Sequence, residues 1–175
     1  MHVNYEFKAK CESISLLEEI LLQKKPCFIG TDHQVDTYFN VSAGRMKLRE
    51  GNIENALIHY ERPDTLGAKQ SNVILYNHQP SESLKKILTT AVGVKVVVDK
   101  FRKIYFIDNV KFHFDEVKDL GSFIEVEAID RDGSIGVEKL KSQCDGYAKL
   151  FGITTDQFIA FSYSDLLLAK KSSTG

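Results

Sequence analysis

The segment Val3–Cys11 reads VNYEFKAKC and strictly alternates polar with apolar residues. Asn4, Glu6, Lys8 and Lys10 occupy every second position. Because successive side chains of a β-strand point to opposite faces, a strand here has one ionic face and one apolar face. An ordinary half-buried strand, whose charges simply lie in water, shows the same alternation. The segment alone therefore leaves both interpretations open.

The same alternation recurs along the chain, with charges of both signs. Arg45–Arg49 reads RMKLR, Val110–Asp115 reads VKFHFD, and Phe123–Glu127 reads FIEVE. If the ionic faces of these strands converge, they bring together ten cations and four carboxylates: Lys8, Lys10, Arg45, Lys47, Arg49, Arg62, Lys69, Lys100, Arg102 and Lys111 with Glu6, Asp115, Glu125 and Glu127.

Helices are predicted between the strands and near the end of the chain. Apolar stripes at helical spacing mark a helix with a capping box of Ser15 and Glu18, and others at about 81–91, 134–151 and, as a short tail, 156–171. Seven or eight strands joined mostly by short turns predict an antiparallel α+β domain. Helices could cover the apolar strand faces from outside, so that the ionic faces point into a closed or partly closed barrel. On an open sheet the same charges would form a solvated face.

Composition limits the class of protein. The 175 residues predict a single domain, 1–175, with 27% charged residues and a net charge of −1. We expect no nucleic-acid partner, because the strongly basic balance typical of such domains is missing. No apolar run reaches the ~18 residues of a membrane span, so we expect no membrane association and a cytoplasmic location. A homodimer is left open. Cys11, Cys27 and Cys144 lack metal-site spacing and are predicted to be buried thiols.

A converging set of cations and carboxylates indicates a particular chemistry. Burying unpaired positive charge costs several kcal/mol per ion, so such a cavity should be wet or hold a polyanion. Lysine and arginine donors suit phosphate oxygens, whereas clustered carboxylates suit a hard divalent cation such as Mg²⁺ or Mn²⁺. Together these groups are typical of a site for a metal and a triphosphate.

Several stretches, in order over nearly the whole chain, resemble a known family. They are Asn4–Lys10, His33–Phe39 (HQVDTYF), Arg45–Arg49 (RMKLR), Lys100–Tyr105, Asp115–Val117, Ser122–Glu127 (SFIEVE) and Ser162–Leu167 (SYSDLL). The family is that of the CYTH domain proteins, or triphosphate tunnel metalloenzymes, and within it the class IV adenylate cyclase-like group. The resemblance implies an eight-stranded antiparallel β tunnel, a closed barrel with an ionic interior and helices outside, that binds a triphosphate and a divalent metal.

The resemblance also implies roles for individual residues. Glu6, Glu125 and Glu127 would hold Mg²⁺ or Mn²⁺, and Glu6, Lys8 and Asp115 would take part in catalysis. The triphosphate would be bound by Lys8, Arg45, Lys47, Arg49, Arg62, Lys69, Lys100 and Arg102.

One position departs from the family pattern. The family opens with Glu-x-Glu-x-Lys, whereas this chain has Asn4, Glu6 and Lys8. An amide offers a carbonyl oxygen to a metal but no negative charge. Metal binding is therefore expected to differ from that of the family.

Three functions follow as expectations. The first is an adenylate cyclase-like lyase that binds ATP and converts it to cyclic AMP and pyrophosphate, which the stretches HQVDTYF and SYSDLL favour. The second is a hydrolase, a thiamine or inorganic triphosphatase, that uses the same cage. The third is a protein that binds a nucleoside triphosphate or another triphosphate with weak or no turnover, which Asn4 supports.

Overall fold

The structure is a computed structural model that describes residues 2–173. Eight strands and four α-helices follow one another along the chain. In order they are β1 (His2–Lys10), α1 (Ile14–Leu22), β2 (Cys27–Phe39), β3 (Arg45–Gly51), β4 (Ala56–Glu61), β5 (Lys69–Asn77), α2 (Glu82–Val92), β6 (Val94–Ile107), β7 (Val110–Val117), β8 (Gly121–Asp130), α3 (Val137–Leu150) and α4 (Tyr163–Ser173), with a 3₁₀ turn at Thr155–Gln157 before α4.

The strands close into one antiparallel barrel. The order around it is β1-β5-β4-β3-β2-β6-β7-β8, and β1 pairs with both β5 and β8. Closure leaves no unpaired edge of the kind that an open sheet exposes. The register sets Glu6 beside Lys69 on β5 and Glu127 on β8. The predicted eight-stranded closed barrel is confirmed.

On one side of the barrel the apolar strand faces point outward and are covered by helices, whereas Ile74 of β5 and Phe101 of β6, on outer faces elsewhere, are exposed. Phe7, Phe112 and Ile124 lie under α1 and α3 in one buried cluster that includes Leu21 and Leu140 of those helices. Burying such side chains contributes roughly 1.5–3 kcal/mol each, so the outside of the barrel carries much of the core. This inversion, with apolar residues outside and ionic residues inside, is the arrangement that the alternation allowed.

The last part of the chain closes one end of the barrel. Residues Phe158 and Ile159 continue the sheet beside β1, where the backbone N–H of Ile159 donates to the carbonyl of Lys8 at 2.8 Å. Tyr163 and Leu167 of α4 then pack with Phe123 in a second buried cluster. The opposite end of the barrel is open.

Some local predictions need correction. Ser13, not Ser15, precedes α1 as its N-cap, and its side chain makes no capping hydrogen bond. The predicted capping box is therefore wrong, and Glu18 instead accepts hydrogen bonds from Lys103 and Tyr105. Cys11 and Cys144 are buried as expected, but Cys27 is exposed at the start of β2. Within residues 2–173, no helix combines the length and apolar character needed to cross a membrane.

Candidate active site

The inner strand faces surround a cavity of about 620 Å³. This lies within the range of roughly 300–1,000 Å³ that small-molecule sites occupy. Its charged lining comes from five strands, from the β3–β4 turn and from the segment between β4 and β5, and comprises Glu6, Lys47, Arg49, Glu54, Arg62, Lys100, Arg102, Lys111, Glu125 and Glu127.

Three cations converge on one buried carboxylate, that of Asp36. Arg49 donates through Nε and Nη2 at 2.9 and 3.0 Å, Lys47 through Nζ at 3.0 Å, and Lys100 through Nζ at 2.7 Å. These cations hold the pKa of Asp36 well below its ordinary value, although burial acts in the opposite direction. Asp36 is therefore a permanent anion that fixes three cations against the cavity.

Glu54 supplies a second carboxylate, from the turn between β3 and β4. It accepts hydrogen bonds from Arg49 at 2.9 Å, from Gln34 at 3.0 Å and from Lys111. Asp32 holds this turn by accepting the backbone N–H groups of Ile53 and Glu54 at 2.8 and 3.0 Å. The turn thus delivers a carboxylate to two cations of the cavity wall.

We call the side chains of Lys47, Arg49, Lys100 and Lys111 the basic wall. Asp36 and Glu54 are the carboxylates that hydrogen-bond to it, so the wall keeps a net charge of two positive units when all four of its cations are protonated. In a partly desolvated cavity such an excess favours anions much more than it would in water.

We call Glu6, Glu125 and Glu127, on β1 and β8, the acidic wall. Glu6 accepts from Arg62 at 2.5 Å, and Glu125 accepts from Lys8 at 3.3 Å. Among residues 2–173, Glu127 accepts a hydrogen bond from the amide of Asn4 alone. Burial, followed by the charges of Glu6 and Glu125, raises the pKa of Glu127 to about 7. Glu6 and Glu125 therefore have cationic partners, whereas among residues 2–173 no lysine or arginine lies within ion-pair distance of Glu127.

Arg102 lies between the two walls and is held firmly. Its Nε and Nη2 each donate to Asp115 at 2.6 Å, and Nη2 also donates to Glu125 at 2.8 Å. Tyr163 of α4 donates its hydroxyl to Asp115 at 2.7 Å. Asp115 is fully buried, so it orients Arg102 rather than facing the cavity itself. A planar guanidinium fixed in this way is suited to binding phosphate oxygens.

His113 projects into the space between Arg102 and the acidic wall. Its Nδ1 lies 3.5 Å from Glu125, and its Nε2 lies 4.0 Å from Glu127. Burial, followed by the charges of Arg102 and Lys111, lowers the pKa of His113 to about 3. The ring is consequently neutral and adds no charge to either wall.

The structure separates the predicted phosphate ligands into two groups. Lys47, Arg49, Arg62, Lys100 and Arg102 line the cavity. Lys8, Lys69 and Arg45 lie towards the closed end, and each has protein partners there.

The partners of these three residues are specific. Lys8 lies over the ring of Tyr163, 4.0 Å from its centre. Lys69 donates to the carbonyls of Thr65 and Ala160, both at 2.6 Å. Arg45 donates to Asp64 at 2.8 Å and to Asp165 at 2.9 Å. Lys10, expected in the same interior, is exposed at the end of β1, so that prediction is wrong.

The sequence of this chain matches one family of proteins. The family model of the CYTH domain matches residues 2–149 of this chain. The chain belongs to the CYTH domain family. CYTH domain proteins are triphosphate tunnel enzymes that generally use divalent metal ions.

Solved structures share the fold of this CYTH domain. The PH1012 protein from Pyrococcus horikoshii OT3 is 22% identical, with a TM-score of 0.79 over 95% of this chain and 99% of that chain. A proposed adenylate cyclase from Vibrio parahaemolyticus is 15% identical, with a TM-score of 0.76 over 94% and 97% of the two chains. A proposed adenylyl cyclase from Hippeastrum, which has a dominant triphosphatase activity, is 15% identical, with a TM-score of 0.61 over 98% and 96%. Identities this low establish the fold alone.

Among curated proteins, none matches this CYTH domain in sequence.

The acidic wall offers the kind of ligand atoms that bind a divalent cation. Carboxylate oxygens are the ligands that Mg²⁺ and Mn²⁺ prefer, and the pKa of Glu127 is raised first by burial and then by the charges of Glu6 and Glu125, which a bound cation would offset. The buried carbonyl oxygen of the Asn4 side chain has no hydrogen-bond partner within residues 2–173. Over residues 2–173, however, no three His, Cys, Asp or Glu side chains are already arranged around one metal position. Glu6 and Glu125 would have to exchange cationic partners for the metal.

Three functional residues were missed from the sequence. Asp36 lies within the stretch His33–Phe39 but was given no role of its own, although it alternates with Gln34 and Tyr38 on β2 and so shares their inward face. Glu54 lies in a turn, where alternation gives no signal. Tyr163 belongs to a helix outside the barrel, and only its tertiary packing brings its hydroxyl to Asp115.

Proposed function

We propose that this CYTH domain is a metal-dependent enzyme that acts on the triphosphate group of a small molecule. The observation that supports the proposal is the uneven distribution of charge around its cavity. The basic wall carries an excess of positive charge, and on the acidic wall Glu127 hydrogen-bonds to the amide of Asn4 and not to a lysine or arginine. A metal–triphosphate complex presents the complementary pattern, with anionic oxygens on one side and a cation on the other.

In this proposal the basic wall and Arg102 bind the phosphate oxygens. Lys47, Arg49 and Lys100 are gathered by Asp36, and Arg102 is oriented by Asp115, so the donors are in place before the substrate arrives. Preorganised donors of this kind stabilise charge that develops on phosphate oxygens in the transition state.

Glu6, Glu125 and Glu127 would hold Mg²⁺ or Mn²⁺. The metal, when bound, would supply Lewis-acid stabilisation of phosphate charge. Lys8 and Arg62 contact Glu125 and Glu6 in the structure and would give up those contacts to the metal.

The favoured reaction is an adenylate cyclase-like conversion of ATP. The 3′-oxygen of the ribose attacks the α-phosphorus, the bond from that phosphorus to the bridging oxygen breaks, and pyrophosphate leaves. Support comes from the stretches HQVDTYF and SYSDLL, which contribute Asp36 and Tyr163 to the site. The structural similarity to the proposed cyclase from Vibrio parahaemolyticus agrees with this choice.

A triphosphatase is the second candidate. The protein from Hippeastrum shares the fold and has a dominant triphosphatase activity. In that reaction water attacks the terminal phosphorus, the bond from that phosphorus to the bridging oxygen breaks, and orthophosphate and the diphosphate are released. The same cations would stabilise the developing charge on the leaving oxygen.

A product assay tests the proposal. The protein is mixed with Mn²⁺ and, separately, ATP, thiamine triphosphate and inorganic tripolyphosphate, and the products are separated. Cyclic AMP with pyrophosphate supports the cyclase, whereas orthophosphate supports the triphosphatase. Arg102→Ala, which should abolish either product, controls for contaminating enzymes. If no triphosphate is either converted or bound, the proposal is wrong.

A further inference from the structure

Five side chains towards the closed end of the cavity form a closed circle of contacts. Tyr163 donates its hydroxyl to Oδ2 of Asp115 at 2.7 Å, and the same oxygen accepts from Nη2 of Arg102 at 2.6 Å. That Nη2 also donates to Glu125 at 2.8 Å. Glu125 accepts from Lys8 at 3.3 Å. Nζ of Lys8 lies 4.0 Å from the centre of the Tyr163 ring, which completes the circle.

The pairing of the barrel strands builds only part of this circle. It places Arg102 opposite Asp115, on β6 and β7, and Lys8 opposite Glu125, on β1 and β8. Of the five residues, Tyr163 alone comes from a helix, α4. It also lies beyond residues 2–149, the part of the chain that the CYTH domain model matches. The C-terminal helix therefore contributes to the order of the site.

The chain on both sides of Tyr163 is anchored to the barrel. Before it, the backbone N–H of Ile159 donates to the carbonyl of Lys8 at 2.8 Å. After it, Asp165 accepts a hydrogen bond from Arg45 at 2.9 Å. Tyr163 itself is only 4% exposed. Its hydroxyl is therefore held against Asp115 rather than free to turn towards solvent.

The hydroxyl affects how much of the charge of Arg102 is available to a ligand. Asp115 is fully buried, so water does not share its negative charge. Without the hydroxyl, that charge would offset more of the positive charge of Arg102. The charge-assisted hydrogen bond from Tyr163 takes up part of it. Burial, followed by the charge of Asp115, holds the pKa of Tyr163 well above its ordinary value, so the hydroxyl keeps its proton and remains a donor.

We propose that Tyr163 is a positioning residue for phosphate binding, whose hydroxyl holds Asp115 so that Arg102 stays oriented and its charge stays available to phosphate oxygens. This inference rests on the proposed function, because Arg102 must bind phosphate. It makes the phosphate affinity of the barrel depend on the docking of α4.

Calorimetric titration with inorganic tripolyphosphate in EDTA tests this role. Tyr163→Phe keeps the aromatic ring beside Lys8 and removes only the hydroxyl, so it should weaken tripolyphosphate binding about 3- to 10-fold. Tyr147→Phe is the matched control, because Tyr147 packs against Phe112 on the outside of the barrel, with 4.7 Å between the ring centres. It should leave the affinity within about twofold of wild type.

A second background shows whether the hydroxyl acts through Arg102. Arg102→Lys keeps the positive charge but lacks the planar fork of donors that Asp115 holds. If Tyr163 acts through that fork, the two effects are not additive, and Tyr163→Phe should weaken binding by less than about twofold in the Arg102→Lys protein. Urea titrations of each variant measure its stability separately.

The outcomes separate the positioning role from the function it rests on. If Tyr163→Phe lowers stability but binds tripolyphosphate as wild type does, Tyr163 only closes the end of the barrel. In that case, or if Tyr163→Phe weakens binding equally in both backgrounds, the inference is wrong and the proposed function stands. If wild type does not bind tripolyphosphate at all, the proposed function falls and the inference falls with it.

Discussion

Replacing Glu54 by glutamine should tighten triphosphate binding. The carboxylate of Glu54 hydrogen-bonds to Arg49 and Lys111, two cations of the basic wall, and thereby competes with any anionic ligand. Glutamine keeps the size of the side chain and removes its charge. The excess positive charge of the wall then increases from two units to three.

The magnitude follows from charge and exposure. Two unit charges at about 4 Å interact by about 4 kcal/mol at an effective dielectric constant of about 20. The side chain of Glu54 is 26% exposed, and salt screens part of the interaction. We therefore expect a gain of about 1–2 kcal/mol, which tightens the dissociation constant roughly 5- to 30-fold.

Calorimetric titration with tripolyphosphate in EDTA measures this effect. Glu50→Gln is the matched control, because the side chain of Glu50 is also 26% exposed but is paired with Lys85 outside the cavity. It should leave the dissociation constant unchanged. Weaker binding by Glu54→Gln, or an equal gain in both variants, would refute the view that Glu54 occupies part of the phosphate site.

Three further changes have defined outcomes. Asp36→Asn leaves three cations without their common carboxylate, so it should lower the free energy of unfolding by about 3–5 kcal/mol in urea titrations, with partial recovery in tripolyphosphate. Burial and the nearby charge of Arg49 lower the pKa of Lys100 to about 7, so this cation loses its proton as the pH rises through that value. Tripolyphosphate affinity should therefore fall from about pH 6 to about pH 9, and less so in Lys100→Met. Asn4→Glu adds a carboxylate beside Glu127 and should therefore tighten the binding of Mn²⁺, which titration measures. An unchanged affinity for Mn²⁺ would show that residue 4 does not contribute to the metal site.

The barrel could be predicted from the sequence because its strands alternate so regularly. Glu6 on β1 and Glu125 on β8 lie on the ionic face that alternation assigns to them, and both face the cavity. Alternation describes one strand at a time, however, and cannot show where a strand ends relative to its neighbours. Lys10 occupies an alternate position on the ionic face of β1, but it lies at the end of that strand and is exposed to solvent.

The balance of charge could not be predicted, because the counterions come from places that carry no strand signal. The cavity was expected to hold largely unpaired cations. Glu54 reaches it from a turn, and Asp36 pairs with three cations from two other strands. Only the closed barrel brings these groups together, and they reduce the positive excess of the basic wall to two units.

Anomalous diffraction from crystals grown with Mn²⁺ and tripolyphosphate tests the central claim most directly. The account predicts a manganese peak within coordination distance of oxygens from Glu6, Glu125 or Glu127. It also predicts phosphate oxygens within hydrogen-bond distance of Lys47, Arg49 and Lys100, in place of the Glu54 contact. Manganese and phosphate bound elsewhere on the protein, with the cavity unchanged, would contradict it.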